Sequence, residues 1–424
     1  MNDLLKTAHN KYNNMGGIHM RKCVIFFIAI LLMFPFPIVV RAEEKIIPPT
    51  VRATGAVLMD AETGRVLWGK NEHEPLSMAS TTKIMTAILA LESGKMDETV
   101  TVSRLAAAAP RVKMDLSPGE KVRLGDLMLA LMLISSNDAA IAIAEHISGS
   151  VEAFCQQMTE KARELGALNT VFETPNGLDS GDHHSTAYDL AVITRYALTV
   201  PGFTELINTQ VAQFKSDRRG YTFNNRNRLL HEYAGANGVK TGFTNKAGYC
   251  FVGAAKREGM QLISVVLASG WGAEGKAQKW VDTKEILNFG FGNYAFETVV
   301  TADTQAGTLP ITRSKQDELC FIYSNGLVIP MNKEEKDAIH VEITVPESLQ
   351  APVSSGDIIG SAKIYIGAEF YAEIPLAVTG EAIRHDFKTS LEKVLNVFVG
   401  HLTTSEIHII LPEKFAFPDL LPPT

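Results

Sequence analysis

Two almost unbroken apolar stretches, Leu127–Ile134 and Ala139–Ile147, are separated only by Ser135-Ser136-Asn137-Asp138. Both stretches are helix-like and lack a polar face, so both read as buried helices. Four polar residues between two buried helices must find partners, because unpaired polar groups in a core are costly. A plain turn with Asn and Asp caps is one solution. The other is a cleft that reaches into the core and takes the helix break as its wall.

Two further stretches favour the cleft. Ser80-Thr81-Thr82-Lys83 opens a helix-patterned run, Lys83 to Ser93, that ends at Gly94; Thr is a good helix start and Gly a good stop. Ser80 would sit at the helix N-terminus, where free backbone N–H groups favour a developing negative charge. Lys83 lies on the same helix face three residues on. A serine hydroxyl is a weak nucleophile without a base, and a desolvated neutral lysine is one. Taken alone, Ser-x-x-Lys is equally a cap beside a surface lysine. The third stretch, Lys240-Thr241-Gly242, opens a strand-rich region.

In this order and these contexts, the three stretches resemble the motif set of class A β-lactamases and penicillin-binding proteins, with Ser136 where Asp often stands. From about Arg52 to Leu402 the chain resembles the low-molecular-mass penicillin-binding proteins, serine-type D-alanyl-D-alanine carboxypeptidases of peptidase family S11. The matching runs are 75–83, 135–138, 225–227 and 238–248. The resemblance implies an α+β fold: a β-lactamase/transpeptidase-like antiparallel sheet with helices on its faces, then a small all-β domain.

The rest of the chain fits that order. Met20-Arg21-Lys22 precedes an apolar run from Cys23 to Val40 that ends Val40-Arg41-Ala42, the pattern of a secretory signal; an uncleaved anchor is the alternative. Met20 is a candidate initiator. The net charge is −7, of which residues 1–42 contribute +4, leaving −11 on the body. An acidic body argues against a nucleic-acid partner. Cys155, Cys250 and Cys320 are odd in number and far apart, and read as buried free thiols. Residues 54–70 read as a hairpin. A second is signalled by Arg257-Glu258-Gly259, and Ala277–Phe289 reads as a closing helix. Such an order suits a sheet whose first and last strands meet. His183 and His184 stand together in a loop, with no further ligand at metal spacing. The expected domains are a signal region (1–42), a catalytic domain (43–297), a small β domain (298–380) and an amphipathic segment with its tail (381–424).

The resemblance also implies the chemistry. The expected activity is removal of the terminal D-alanine from peptidoglycan stem pentapeptides through a Ser80 acyl-enzyme, a form that penicillin also makes. Lys83 would take the Ser80 proton, Ser135 would relay a proton to the leaving D-alanine, and Asn137 would hold the substrate amide. The backbone N–H groups of Ser80 and Phe243 would form the oxyanion hole. Gly242 would let the substrate backbone lie close, and Lys240 and Thr241 would meet the terminal carboxylate. Arg226 matches an arginine near the family's site; a second is replaced, with Lys276 near its place. Gly270-Trp271 resembles sporulation-associated members. No cofactor or metal is expected. The partners expected are stem peptides, β-lactams and a membrane surface. For the last, Ile383, Phe387, Leu391, Val394, Leu395, Phe398 and Leu402 recur on one helical face. The alternative is a helix packed on the β domain, which the extra tail from Thr403 favours. An extracytoplasmic location at the wall follows.

Two other functions compete. A class A-like β-lactamase needs a deacylating glutamate. Glu164-Leu-Gly-Ala-Leu-Asn169 superficially resembles that element, but is one residue too long and continues a helix. A non-catalytic penicillin- or wall-binding module is the other, and the complete motif set argues against it.

Overall fold

The computed structural model describes residues 46–384 and, beyond them, 391, 394 and 395. The signal and, of the amphipathic stripe, Phe387, Phe398 and Leu402 lie outside the described residues. β1 (Gly55–Asp60) is wholly buried and turns back into β2 (Val66–Lys70). Asp60 closes that turn by accepting from the Thr63 N–H (2.8 Å) and hydroxyl (2.7 Å), an Asx turn of the usual kind.

A helical layer follows: α1 (Lys83–Glu92), α2 (Leu124–Leu133), α3 (Asn137–Ser148), α4 (Val151–Glu164) and α5 (Ala187–Ala197). α1 to α3 are buried nearly all round, as apolar helices without a polar stripe must be. α4 is amphipathic. Ser150 caps it by accepting from the Ala153 N–H, and it buries Phe154, Cys155, Met158 and Ala162. Two short ribbons stand beside this layer: β3 (Thr99–Thr101) with β4 (Lys121–Arg123), and β5 (Val211–Lys215) with β6 (Gly220–Asn224).

The chain then returns to the sheet through β7 (Ala236–Thr244), β8 (Gly248–Arg257) and β9 (Met260–Leu267). Glu258 and Gly259, between β8 and β9, have φ of 47° and 88°. Positive φ at both positions suits the right-handed twist of a two-residue hairpin. β9 pairs antiparallel with β1, so first and last strands meet, in the order β2-β1-β9-β8-β7. α5 covers one face against β1 and β9; α6 (Gly272–Asn293) covers the other against β8 and β9.

α6 starts five residues before the expected Ala277. The glycine-rich run reads as loop in sequence, yet Gly275 N donates to Trp271 O at 3.0 Å. A Cβ on Gly275 would meet Gly270 at 2.2 Å, so glycine there permits the tight first turn.

After α6 the chain is mainly strand. β10 (Ala295–Val300) pairs with β13 (Leu327–Met331). β11 (Gln305–Thr312), β12 (Glu318–Tyr323), β14 (Ile339–Thr344), β15 (Leu349–Gln350), β16 (Ile358–Ile366) and β17 (Glu369–Thr379) form a six-stranded sheet, ordered β14-β16-β17-β12-β11-β15. A short helix, Lys333–Asp337, interrupts the strands behind an Asn332/Glu335 capping box. Glu335 pairs with Arg65 at 2.7 Å, and the Tyr294 hydroxyl donates to Leu67 O on β2 at 2.9 Å. The thiols of Cys155, Cys250 and Cys320 are free; the first two are buried, but Cys320 is only half-buried.

Candidate active site

Ser80 lies in a 3-10 turn, Ala79–Thr82, that runs straight into α1. The turn puts Lys83 over Ser80: Lys83 Nζ donates to Ser80 Oγ at 3.0 Å, to Asn137 Oδ1 at 2.8 Å and to Asn176 O at 2.5 Å. Ser80 Oγ donates to the same Asn176 carbonyl at 3.2 Å. Lys83 is fully buried. Loss of hydration holds its pKa well below the ordinary lysine range, helped by the nearby Lys240 charge and opposed by the Asp138 carboxylate.

The α2–α3 break supplies the opposite wall. Ser135 has φ of 65°, and its buried Oγ has no hydrogen-bond partner among the described residues. Its two neighbours face inward. Ser136 Oγ donates to Asp138 Oδ1 at 2.5 Å and accepts from Met114 N at 2.9 Å. Asp138 also accepts from the N–H groups of Met114 and Leu116. The polar break therefore staples residues 112–116 beside the cleft. It also turns Asn137 toward Lys83, with Asn137 Nδ2 donating to Pro110 O at 3.1 Å.

The third wall is β7, the sheet edge. A Cβ on Gly242 would sit 3.1 Å from Ala79 Cβ and Ser80 N. Glycine is what allows the strand to approach the Ser80 backbone. Lys240 is almost fully buried; its Nζ donates to Thr241 O at 2.9 Å. Burial, with Arg226 nearby, lowers its pKa to about 7. Asn225 anchors the Arg226 loop by donating to Thr209 O at 2.9 Å and accepting from Asn227 N at 2.9 Å.

These walls enclose about 470 Å³. Ser80, Ser135, Arg226, Thr241, Gly242 and Phe243 line the cleft; Lys83, Asn137 and Lys240 do not line it and are buried. Among the described residues no carboxylate lines it. Lys276 is at its exposed mouth, whereas Lys279 is the buried lysine of that helix face. Lys279 lies 4.5 Å from the Tyr249 ring centroid and donates to Lys276 O at 2.9 Å. Burial first, then the Lys276 and Arg228 charges, lower its pKa to about 8. Lys279 stands in no motif, and the Asn176 carbonyl belongs to Pro175-Asn176-Gly177-Leu178, a pattern that by itself marks only a loop. Glu164 stands exposed at the end of α4.

A profile described as D-alanyl-D-alanine carboxypeptidase, peptidase S11, matches residues 42–270, more than half the chain. The chain belongs to the D-alanyl-D-alanine carboxypeptidase family S11. Residues 294–383 match the C-terminal domain of penicillin-binding protein 5. The chain is 33% identical to D-alanyl-D-alanine carboxypeptidase DacF of Bacillus subtilis, with 81% of this chain and 89% of that protein covered. It is 32% identical to DacC of Escherichia coli, covering 82% and 89%. Among solved structures, the Francisella tularensis carboxypeptidase DacD aligns at 27% identity and a TM-score of 0.67, covering 81% of this chain and 97% of that one. Penicillin-binding protein 5 of Haemophilus influenzae aligns at 28% and 0.67, covering 80% and 100%. Family S11 membership and the mixed sheet-and-helix fold with its β domain agree with the sequence expectation.

Proposed function

We infer that the chain is a serine-type D-Ala-D-Ala carboxypeptidase acting on peptidoglycan stem pentapeptides. The observation that carries this reading is the buried Lys83 Nζ, 3.0 Å from Ser80 Oγ and 2.8 Å from Asn137 Oδ1, beside the open edge of β7. In this reading neutral Lys83 keeps its two N–H groups on Asn137 Oδ1 and Asn176 O and turns its lone pair to Ser80 Oγ. The Ser80 hydroxyl hydrogen swings from the Asn176 carbonyl to Nζ and passes to it as Oγ attacks the penultimate carbonyl carbon. The N–H groups of Ser80 and Phe243 hold the oxyanion. The C–N bond breaks, and the proton reaches the departing D-alanine amine through Ser135 Oγ. Water then cleaves the ester and restores Ser80. The terminal carboxylate meets Thr241 and Arg226, with the Lys240 charge behind them. Asn137 retains one Nδ2 hydrogen for the substrate amide. The test is release of D-alanine from a muropeptide pentapeptide by the signal-free protein; no release from either pentapeptide or a D-Ala-D-Ala tripeptide sinks the assignment.

Among the described residues no carboxylate lines the cleft, and Glu164 stands exposed at the end of α4, which favours this reading over a class A-like β-lactamase. Penicillin should acylate the protein and leave slowly, so one equivalent blocks D-alanine release for many turnovers. Rapid sustained penicillin hydrolysis would favour the β-lactamase.

Finer features belong to the same proposal. The catalytic domain, expected over 43–297, is followed by the β domain, expected over 298–380; the end of α6 at Asn293 and the start of β10 at Ala295 favour a boundary near residue 294, since one at 297 would divide β10. Residues 1–42 direct export and the 381–402 stripe rests on the membrane surface. Ile383, Leu391 and Val394 are exposed, and among the described residues no helix is long and apolar enough to span a bilayer. Equal sedimentation with liposomes, with and without residues 381–424, argues against the surface contact. Gly270-Trp271 supports a role in spore-wall modification, which constant transcript levels through sporulation would contradict.

A further inference from the structure

We propose that His183 is a positioning residue of the oxyanion hole: through the Thr82 hydroxyl it fixes the Ala79–Ser80 peptide so that the Ser80 N–H faces the cleft. The proposal rests on the reading above that this N–H is one of the two oxyanion donors.

The hydrogen bonds have only one consistent direction. The backbone N–H of Glu173 donates to His183 Nδ1 at 3.1 Å, so Nδ1 carries a lone pair. In the neutral ring the proton is then on Nε2, which donates to Thr82 Oγ1 at 2.8 Å. With its lone pair engaged, Thr82 Oγ1 donates to Ala79 O at 2.8 Å. His183 is buried, with the Phe172 ring at an angle of 66° to it and 6.0 Å away. Burial lowers its pKa to about 4, so the neutral ring that this chain requires is the form present near pH 7.

The chain ends on the peptide unit that matters. Ala79 O and the Ser80 N–H belong to one planar trans amide, in which carbonyl and N–H point in opposite directions. Holding the carbonyl therefore aims the N–H. Gly177 packs against the same carbonyl: a Cβ there would lie 2.0 Å from Ala79 O and 2.8 Å from Thr82 Oγ1, and Gly177 has φ of 80°. Ala79 itself has φ of 49°. A non-glycine residue rarely holds a left-handed conformation unaided, so the peptide needs such holding. The loop 174–183 thus grips the nucleophile's peptide at Gly177 and through His183, and meets Lys83 at the Asn176 carbonyl.

An oxyanion donor acts in the transition state, so misaiming it should slow acylation without weakening encounter. Removing such a donor costs about 10²–10³ in rate, and losing its support should cost less. The experiment measures the acylation rate constant and the noncovalent dissociation constant for labelled penicillin, with melting temperature alongside, in the full-length protein. His183→Leu and Thr82→Val should each lower the rate constant about 10- to 100-fold and shift the dissociation constant less than about twofold. His183→Gln, which can accept at one end and donate at the other, and Thr82→Ser should stay within about threefold of the parent. The His183→Leu/Thr82→Val double variant should be no slower than the worse single one. An unchanged rate constant, a loss confined to binding, or additive losses overturns the proposal. Should His183→Leu not fold, the Thr82 pair decides. If the parent protein is not labelled on Ser80 at all, the functional reading itself has failed, an outcome distinct from normal labelling in the variants.

Discussion

Ser80→Ala should abolish covalent labelling by penicillin and lower D-alanine release by about three orders of magnitude or more, the scale expected when a covalent nucleophile is removed. The replacement deletes the oxygen 3.0 Å from Lys83 Nζ and little else, since among the described residues the other hydrogen-bond partner of Ser80 Oγ is Asn176 O. Stability should therefore change little. The check is intact-protein mass spectrometry after penicillin, with peptide mapping of the parent adduct. An adduct on another residue, or equal labelling of the alanine variant, removes Ser80 from the role.

Lys83→Arg should be nearly as damaging, because guanidinium keeps its proton at every accessible pH. It would also put an unyielding charge where burial and Lys240 already oppose one. The same logic gives the pH profile. The base works when neutral, so acylation should rise with pH as Lys83 loses its proton. Lys240 works when charged and loses its proton around pH 7 in the free protein. The ratio kcat/KM should therefore fall above about pH 7. In kcat the falling limb should lie higher, since a bound carboxylate restores the Lys240 charge. Near-parent acylation by Lys83→Arg, or a rate flat from pH 5 to 9, would mean that another group is the base.

Much of this site was legible because its parts are local. A turn spacing joins Ser80 to Lys83, and two apolar helices flanking four polar residues announce a cleft wall. The rest depends on long-range folding. Asn176 contributes a carbonyl, which every residue has, and reaches Lys83 across 93 positions. His183 reaches Thr82 across 101. A pair of histidines in a loop suggests metal before it suggests a buried neutral ring. Lys276 and Lys279 are one helical turn apart, and only packing against Tyr249 and Trp280 decides which is enclosed. In the β domain the Asn332-x-x-Glu335 pattern was a readable helix start, hidden by the strands around it. The half-exposed Cys320 lies on β12, whose burial depends on which strands flank it, β11 and β17.

A five-stranded sheet has two edges, and each is a template for any extended chain, including another copy of itself. At the β2 edge, Tyr294 occupies the carbonyl of Leu67, and Arg65 and Glu335 tie that side to the following domain. In the proposed reading the β7 edge stays unpaired to receive a peptide. What keeps it from seeding aggregation is depth: the α2–α3 break and the start of α6 wall it in, so a single narrow chain end fits where a neighbouring sheet does not. The same walls that make the cleft selective thus make an open strand safe to carry. Substitutions that widen the mouth should then cost solubility before they cost catalysis.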